Sequence, residues 1–332
     1  MTVSKIVLGL ATSHSPMLLA KDEELPRLVE RDQADMLPFR DEDGNRIKYA
    51  QVLERADPAI AAKATPEKML ERAAQCRAAT KRLGEELAAA NLDALIIIGD
   101  DQNEMFTAKN RPSLAIYHGE TAVNAWPPDM TGMMDWLVEL RSRFYAQPSK
   151  TYPADAKLAF HIIEHMTEHG FDVGSVSEYP HGAGEGHAFA YVHSYIMDDA
   201  RPIPVVPVLL NTFYKPNQVT PQRALSIGKA IRAAVEALPG DKRIGIIASG
   251  GLSHFMVDEV FDAKIIKALK EKNETDLLSL HRKNYIDGTS ETLNWICVHG
   301  AVGDLPVDWL EYVPGYRSPA GTGVGLAFAK WA

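Results

Sequence analysis

Imidazole, carboxylate, amide and hydroxyl side chains recur directly after apolar runs in this chain. Ile6–Ala11 runs into Thr12-Ser13-His14-Ser15-Pro16, and Leu95–Ile98 runs into Gly99-Asp100-Asp101-Gln102-Asn103-Glu104. Val205–Leu210 runs into Asn211-Thr212, and Ile244–Ala248 into Ser249-Gly250-Gly251-Leu252-Ser253-His254. Histidines and carboxylates brought together can hold a divalent cation or move protons near neutral pH. Two further clusters carry such residues. His181-Gly182-Ala183-Gly184-Glu185-Gly186-His187 is a glycine-rich loop with two histidines, whose glycines permit close backbone approach. It lacks the sequence context of a phosphate-binding loop. His161-Ile162-Ile163-Glu164-His165 has the H-x-x-E-H spacing of a zinc peptidase, with two histidines one helical turn apart. His169 extends that row, which also reads as a solvated helix face.

Elements must position these residues. Short continuous apolar runs bounded by glycine, proline and polar clusters predict buried strands at Ile6–Ala11, Ala94–Ile98, Leu114–Tyr117, Ile203–Leu210 and Ile244–Ala248. Helical periodicity fills Pro66–Ala90, Ala154–His169, Pro221–Leu238 and Asp262–Lys272. Thr65-Pro66 and Thr220-Pro221 put a hydroxyl at the N-cap and proline at the first helical position. The alternation predicts an α/β fold, a single domain over residues 1–332 with a central, mostly parallel or mixed sheet flanked by helices. In such sheets ligands bind outside the carboxyl ends of the strands, so the polar strand ends would assemble one site. Lys21–Lys63 fits the alternation poorly. It is charged, contains the turn signal Asp41-Glu42-Asp43-Gly44, and is expected to be an insertion over one face.

Composition narrows the function classes. The chain has 332 residues, 46% hydrophobic, with 35 Lys+Arg against 44 Asp+Glu for a net charge of −9. That is a globular composition without the basic footprint of a nucleic-acid binder. No apolar run approaches the roughly 20 residues that span a bilayer, so no membrane association is expected. Cys76 and Cys297 are too few for a disulfide framework or a cysteine-rich zinc site, which suits a reducing, cytoplasmic compartment.

In order along the chain these segments resemble the class III extradiol ring-cleavage dioxygenases of the protocatechuate 4,5-dioxygenase β-subunit type, gallate and 3-O-methylgallate dioxygenases among them. The resemblance rests on Thr12–Pro16, Gly99–Glu104, His187-Ala188-Phe189, Gly250–His254, Asp258-Glu259 with Phe261-Asp262, and the tail Tyr312–Gly323. It implies non-haem Fe(II) in a triad of two histidines and one carboxylate with open positions. By position the first histidine is His14, the carboxylate is Glu259 and the acid–base histidine is His187. The family's second iron histidine ends an Asn-Asp-His segment, where this chain reads Asp100-Asp101-Gln102. Three readings stay open: the Gln102 amide ligates iron, Asp101 or Glu104 takes the position, or iron is lost and the pocket is kept for binding.

The resemblance thus implies His14 and Glu259 at the metal, with Gln102 at the position of the missing histidine, and His187 with His254 as catalytic groups. Ser13, Asp101, Ser253 and Arg317 are expected toward substrate, the last as a fork for a carboxylate. The implied reaction is meta cleavage of a catecholic aromatic acid with O2, its partners a small aromatic diol and O2. By default the assembly is a homodimer, and the insertion would cover the active site in place of a separate small subunit. The rivals are a zinc metallopeptidase using His161, Glu164 and His165, and a metal-free binding protein on a dioxygenase-like scaffold.

Overall fold

Strands form where the apolar runs end in turn residues, and they register into one α/β domain. The computed structural model of the chain describes residues 3–126, 133–179, 184–280 and 282–332. In chain order the strands are β1 (Lys5–Thr12), β2 (Ala94–Asp100), β3 (Leu114–Tyr117), β4 (Thr121–Asn124), β5 (Lys150–Pro153), β6 (Gly174–Val176), β7 (Val205–Leu210), β8 (Arg243–Ser249), β9 (His254–Met256), β10 (Val307–Tyr316) and β11 (Thr322–Trp331). Among the described residues a nine-stranded mixed sheet has the order β10-β11-β1-β8-β2-β7-β3-β6, with β9 paired to β11. Its centre, β1-β8-β2-β7, is parallel. The C-terminal hairpin β10–β11 adds antiparallel strands beside β1. β4 and β5 form a separate pair.

The helices are α1 (Pro16–Leu19), α2 (Leu25–Gln33), α3 (Tyr49–Arg55), α4 (Pro66–Ala89), α5 (Asp135–Ser142), α6 (Ala156–Glu168), α7 (His187–Tyr195), α8 (Pro221–Ala237), α9 (Glu259–Lys270), α10 (Glu274–Ser279) and α11 (Thr292–Val302). They cover both sheet faces. Ile96 and Ile98 of β2 pack into the core beneath α6, α8, α9 and α11, while Leu95 and Ile97 face α2, α4 and α7. β2 is therefore buried along its whole length, which is why its sequence is continuously apolar. A register irregularity between Ile6 and Leu8 flips β1, so Ile6 joins the first core and Leu8 and Leu10 the second. The hydroxyls of Thr65 and Thr220 accept from the backbone N–H groups of Lys68 and Arg223, as N-caps before Pro66 and Pro221.

The segment over residues 21–63 holds α2, α3 and two short 3-10 turns. Asp41 accepts from the backbone N–H groups of Asp43 and Asn45, making the expected turn. Among the elements the sequence did not indicate are β4–β6, β9, the hairpin β10–β11, and α11. Every residue of α11 is buried, so it has no amphipathic period to read.

Candidate metal centre

The parallel strands end side by side, Thr12 of β1 opposite Ser249 of β8. Just beyond β1, Ser13 is tied to β11: its N–H donates to the Ala327 carbonyl at 2.9 Å and its hydroxyl accepts from the Ala327 N–H at 2.8 Å. The next residue, His14, is buried, with Nδ1 3.0 Å from the Ser249 hydroxyl. Ser249 donates its own proton to the Ala188 carbonyl at 2.7 Å, so it accepts from His14 Nδ1–H. That fixes the tautomer and leaves the His14 Nε2 lone pair free. Nε2 has no hydrogen-bond partner although it is buried, and lies 3.7 Å from Glu291 Oε2.

Asp100, the last residue of β2, is fully buried; Oδ1 accepts from Asn294 Nδ2 at 3.3 Å and Oδ2 has no partner. Glu291 stands immediately before α11. Its Oε2 accepts from the Gly251 N–H at 2.8 Å, and its Oε1 from Gln102 Nε2 at 3.4 Å. The first turn of α11 is stitched to the strand end by Asn294 Nδ2 on the Ser249 carbonyl (2.9 Å) and Trp295 Nε1 on the Gly250 carbonyl (2.7 Å). Gly250 has φ 151°, and a Cβ there would press on Glu291 Cβ at 2.9 Å, so glycine is what lets the carboxylate approach. His187 opens α7 and holds both Glu104 oxygens at 2.8 and 2.7 Å through Nδ1. Tyr145 Oη also donates to Glu104. His254 opens β9, with Nδ1 donating to the Leu252 carbonyl at 3.0 Å and Nε2 3.3 Å from Glu291 Oε2.

His14, Asp100, His187 and Glu291 each offer one ligand atom, and the four atoms lie within 4.8 Å of one another. Burial, outweighing the nearby Glu291, pushes His14 down to about 3, so it is neutral and able to ligate. Burial, followed by the Glu291 charge, pushes Asp100 up to about 7. Burial alone would raise Glu291 too, but His254 beside it and the Gly251 N–H hold it below the usual carboxylate range. His187 loses to burial and gains more from Glu104, ending at about 9. Two buried donors without partners, His14 Nε2 and Asp100 Oδ2, fit a metal ion. The oxygen and imidazole set suits a divalent cation of the iron, manganese or zinc type.

A cavity of about 350 Å³ opens onto this group. His14, Gln102, His187, His254 and Glu291 line it together with Phe144, Phe213 and the guanidinium-bearing Arg31, Arg141 and Arg317. Met36, Leu37 and Pro38 add an apolar wall from the segment over residues 21–63.

The structure thus brings together His14, Gln102, His187, His254 and Arg317 of the expected residues. It does not bring Glu259. That residue begins α9 with its side chain 40% exposed, and its Oε1 accepts from Lys63 Nζ and Tyr316 Oη at 2.8 Å each. The carboxylate beside His14 is Glu291 instead, delivered from a distant helix start. Asp101 is committed to its own loop, accepting from the N–H groups of Glu104, Met105 and Phe106 at 2.9, 2.8 and 3.0 Å. Glu104 is the partner of His187, and Asp100, immediately before Asp101, carries the free carboxylate oxygen. Ser13 is spent on β11. Ser253 donates to Asp262 through both N–H and hydroxyl, and its hydroxyl accepts from the Asp258 N–H, so it holds the start of α9. Arg317 is engaged by Asp32.

The H-x-x-E-H row does not build a site. His161 Nε2 bonds the Ala234 carbonyl at 2.8 Å, His165 stacks on His169 at 4.2 Å, and none of them lines the cavity. His181 lies outside the described residues. The sequence reading missed Asp100 and Glu291 as partners of His14. A faint signal existed for Glu291: it opens a stretch, Thr292–Val302, that holds no other carboxylate, lysine or arginine, and a carboxylate buried with such a helix needs a partner there.

A model of the family described as the catalytic LigB subunit of aromatic ring-opening dioxygenase matches residues 67–327. A gallate dioxygenase of Pseudomonas putida is 25% identical over 160 residues, which cover 44% of this chain and 45% of that protein. The matched stretch is thus less than half of that relative's length. Among the described residues no helix is long and apolar enough to cross a membrane.

Proposed function

The chain belongs to the family of the catalytic LigB subunit of aromatic ring-opening dioxygenase, and from that premise we propose extradiol (meta) cleavage of a catecholic aromatic acid with O2, dependent on Fe(II). The observation that carries the proposal is the buried group of His14, Asp100, His187 and Glu291, of which His14, His187 and Glu291 line a cavity large enough for an aromatic acid. His14, Asp100 and Glu291 are the proposed iron holders, with the Gln102 amide beside Glu291. Where the resembled segment ends in histidine this chain has Gln102, and where it begins with asparagine this chain has Asp100. One donor is lost and another gained, which keeps three protein ligands and makes the site one charge more negative. Iron held there would act as Lewis acid for the two diol oxygens and give electrons a route to O2.

The chain's own groups move the protons. Glu104 grips His187 at Nδ1, so Nε2 is the nitrogen left to donate, and the raised pKa makes the protonated form its resting state. His187 therefore serves as hydrogen-bond donor and acid to substrate oxygen. His254 is raised from its usual value because Glu291 outweighs burial. With the Glu291 charge engaged by a bound cation that cause would be removed, and His254 Nε2 would be the base that accepts a diol proton. Phe144 and the apolar wall exclude water from the ring. A homodimer in the cytoplasm completes the proposal.

Anaerobic loading with Fe(II), then oxygen uptake with protocatechuate, gallate and 3-O-methylgallate, tests it. Substrate-dependent uptake is expected. Glu291→Gln should lose iron and uptake, whereas Glu259→Gln and His161→Ala should keep both. No bound iron and no uptake with any catechol would overturn the reading in favour of a metal-free binding protein.

A further inference from the structure

Three guanidinium groups line the cavity, and they are not equivalent. Arg317 is buried and committed: Nε and Nη2 both donate to Asp32, at 2.8 and 3.3 Å. Arg31 shares the same carboxylate, with Nη2 3.3 Å from Asp32 Oδ1, but its Nε is buried without a partner. The Arg141 guanidinium, in the last turn of α5, makes no hydrogen bond and has no carboxylate within ion-pair distance among the described residues. The carboxylate whose charge it feels is Glu104, and that one is neutralised by His187. One carboxylate, Asp32, is thus shared by Arg317 and Arg31 while Arg141 has none, so two of the three positive charges stand uncompensated along the cavity. Burial, with Arg317 next to it, already pulls Arg31 down to about 10, the response of a cation short of countercharge.

We infer that Arg31 and Arg141 form an anion clamp that selects aromatic diols bearing two carboxylates, and that Arg317 is a positioning residue that holds Asp32 beside Arg31. The inference rests on the ring-opening reading for the diol, and on charge and geometry alone for the two carboxylates. Two anionic groups neutralise both free charges, whereas one leaves a guanidinium without a partner. Each planar fork also matches a carboxylate bidentately. Phe144 and Leu37 provide the apolar surface for the ring between these ends. The cavity of about 350 Å³ holds a single ring with two such substituents.

The test uses isophthalate and benzoate on the metal-free full chain, because neither carries a diol and binding then reports the clamp alone. By calorimetry isophthalate is expected to bind at least tenfold tighter than benzoate. Arg141→Met should erase that advantage, and Arg141→Lys should retain part of it. Arg141 is not a core residue, so folding of both variants, checked by circular dichroism, is expected to be intact. Equal affinity for the two acids in the parent chain, or an advantage unchanged in Arg141→Met, would overturn the clamp. With iron loaded, kcat/KM should favour a dicarboxylated catechol over its monocarboxylated counterpart, and Arg141→Met should raise KM more than it lowers kcat. A dicarboxylate preference in binding without ring opening of any catechol upholds the clamp and overturns the reaction. Ring opening without the preference does the reverse.

Discussion

At the scale of single residues, the centre depends on which protons are already absent. His14 needs no deprotonation to bind a cation, because burial keeps it neutral down to about pH 3. Asp100 does, because burial and Glu291 hold it at about 7. Its carboxyl is protonated below that value, so a cation must displace a proton there and is favoured as pH rises. Metal affinity, followed by titration with Fe(II) or Mn(II), should therefore climb about tenfold per pH unit from pH 5 to 7 and flatten above it. In Asp100→Asn that slope should disappear. A flat profile in the parent chain would remove Asp100 from the site. His14, Gln102, His187 and His254 were legible in the sequence because each follows an apolar run or a glycine-rich turn. Asp100 stood within a quoted segment, yet nothing local distinguished it from Asp101. The distinction is made by three backbone N–H groups that take Asp101 and leave Asp100 facing Glu291.

At the scale of elements, α11 carries the most consequence. It brings Glu291 to the strand ends, and its position is set by contact with α8 at two glycines. A Cβ on Gly228 would run into the Cys297 carbonyl oxygen, and one on Gly300 into the Leu225 carbonyl oxygen. Only glycine lets the two helix backbones meet so closely. Gly228→Ala should cost about 1–3 kcal/mol of stability from overpacking, measured by urea unfolding. The same shift of α11 should lower metal affinity, although Gly228 touches no ligand. Full stability and full affinity in this variant would show that α11 is not held by that contact. Caps and apolar runs made α4, α8 and the parallel strands readable. α11 was not, since a helix buried on all sides carries no periodic polar face.

At the scale of the molecule, the two cysteines lie in separate cores on opposite sheet faces, Cys297 under α8 and Cys76 on α4. Burial pushes the Cys76 thiol up to about 12 and raises Cys297 further, so neither is reactive in the folded chain. We propose that residues 1–332 form one cooperative catalytic domain with residues 21–63 as an inserted cover. Both thiols should then be unlabelled by a maleimide in buffer and become reactive together across one denaturant midpoint. Separate midpoints would divide the domain. The amino-acid sequence by itself determined the α/β class, the strand ends as the candidate site, and the ring-opening family, because local periodicity and order along the chain carry that information. Only the tertiary structure decided that Glu291 rather than Glu259 faces His14, that Asp101 is turned to its own loop, and that Arg317 is held by Asp32. The first and last depend on which buried polar groups meet across 277 or 285 residues of chain, and such a partner's proximity is not written in either residue's neighbourhood.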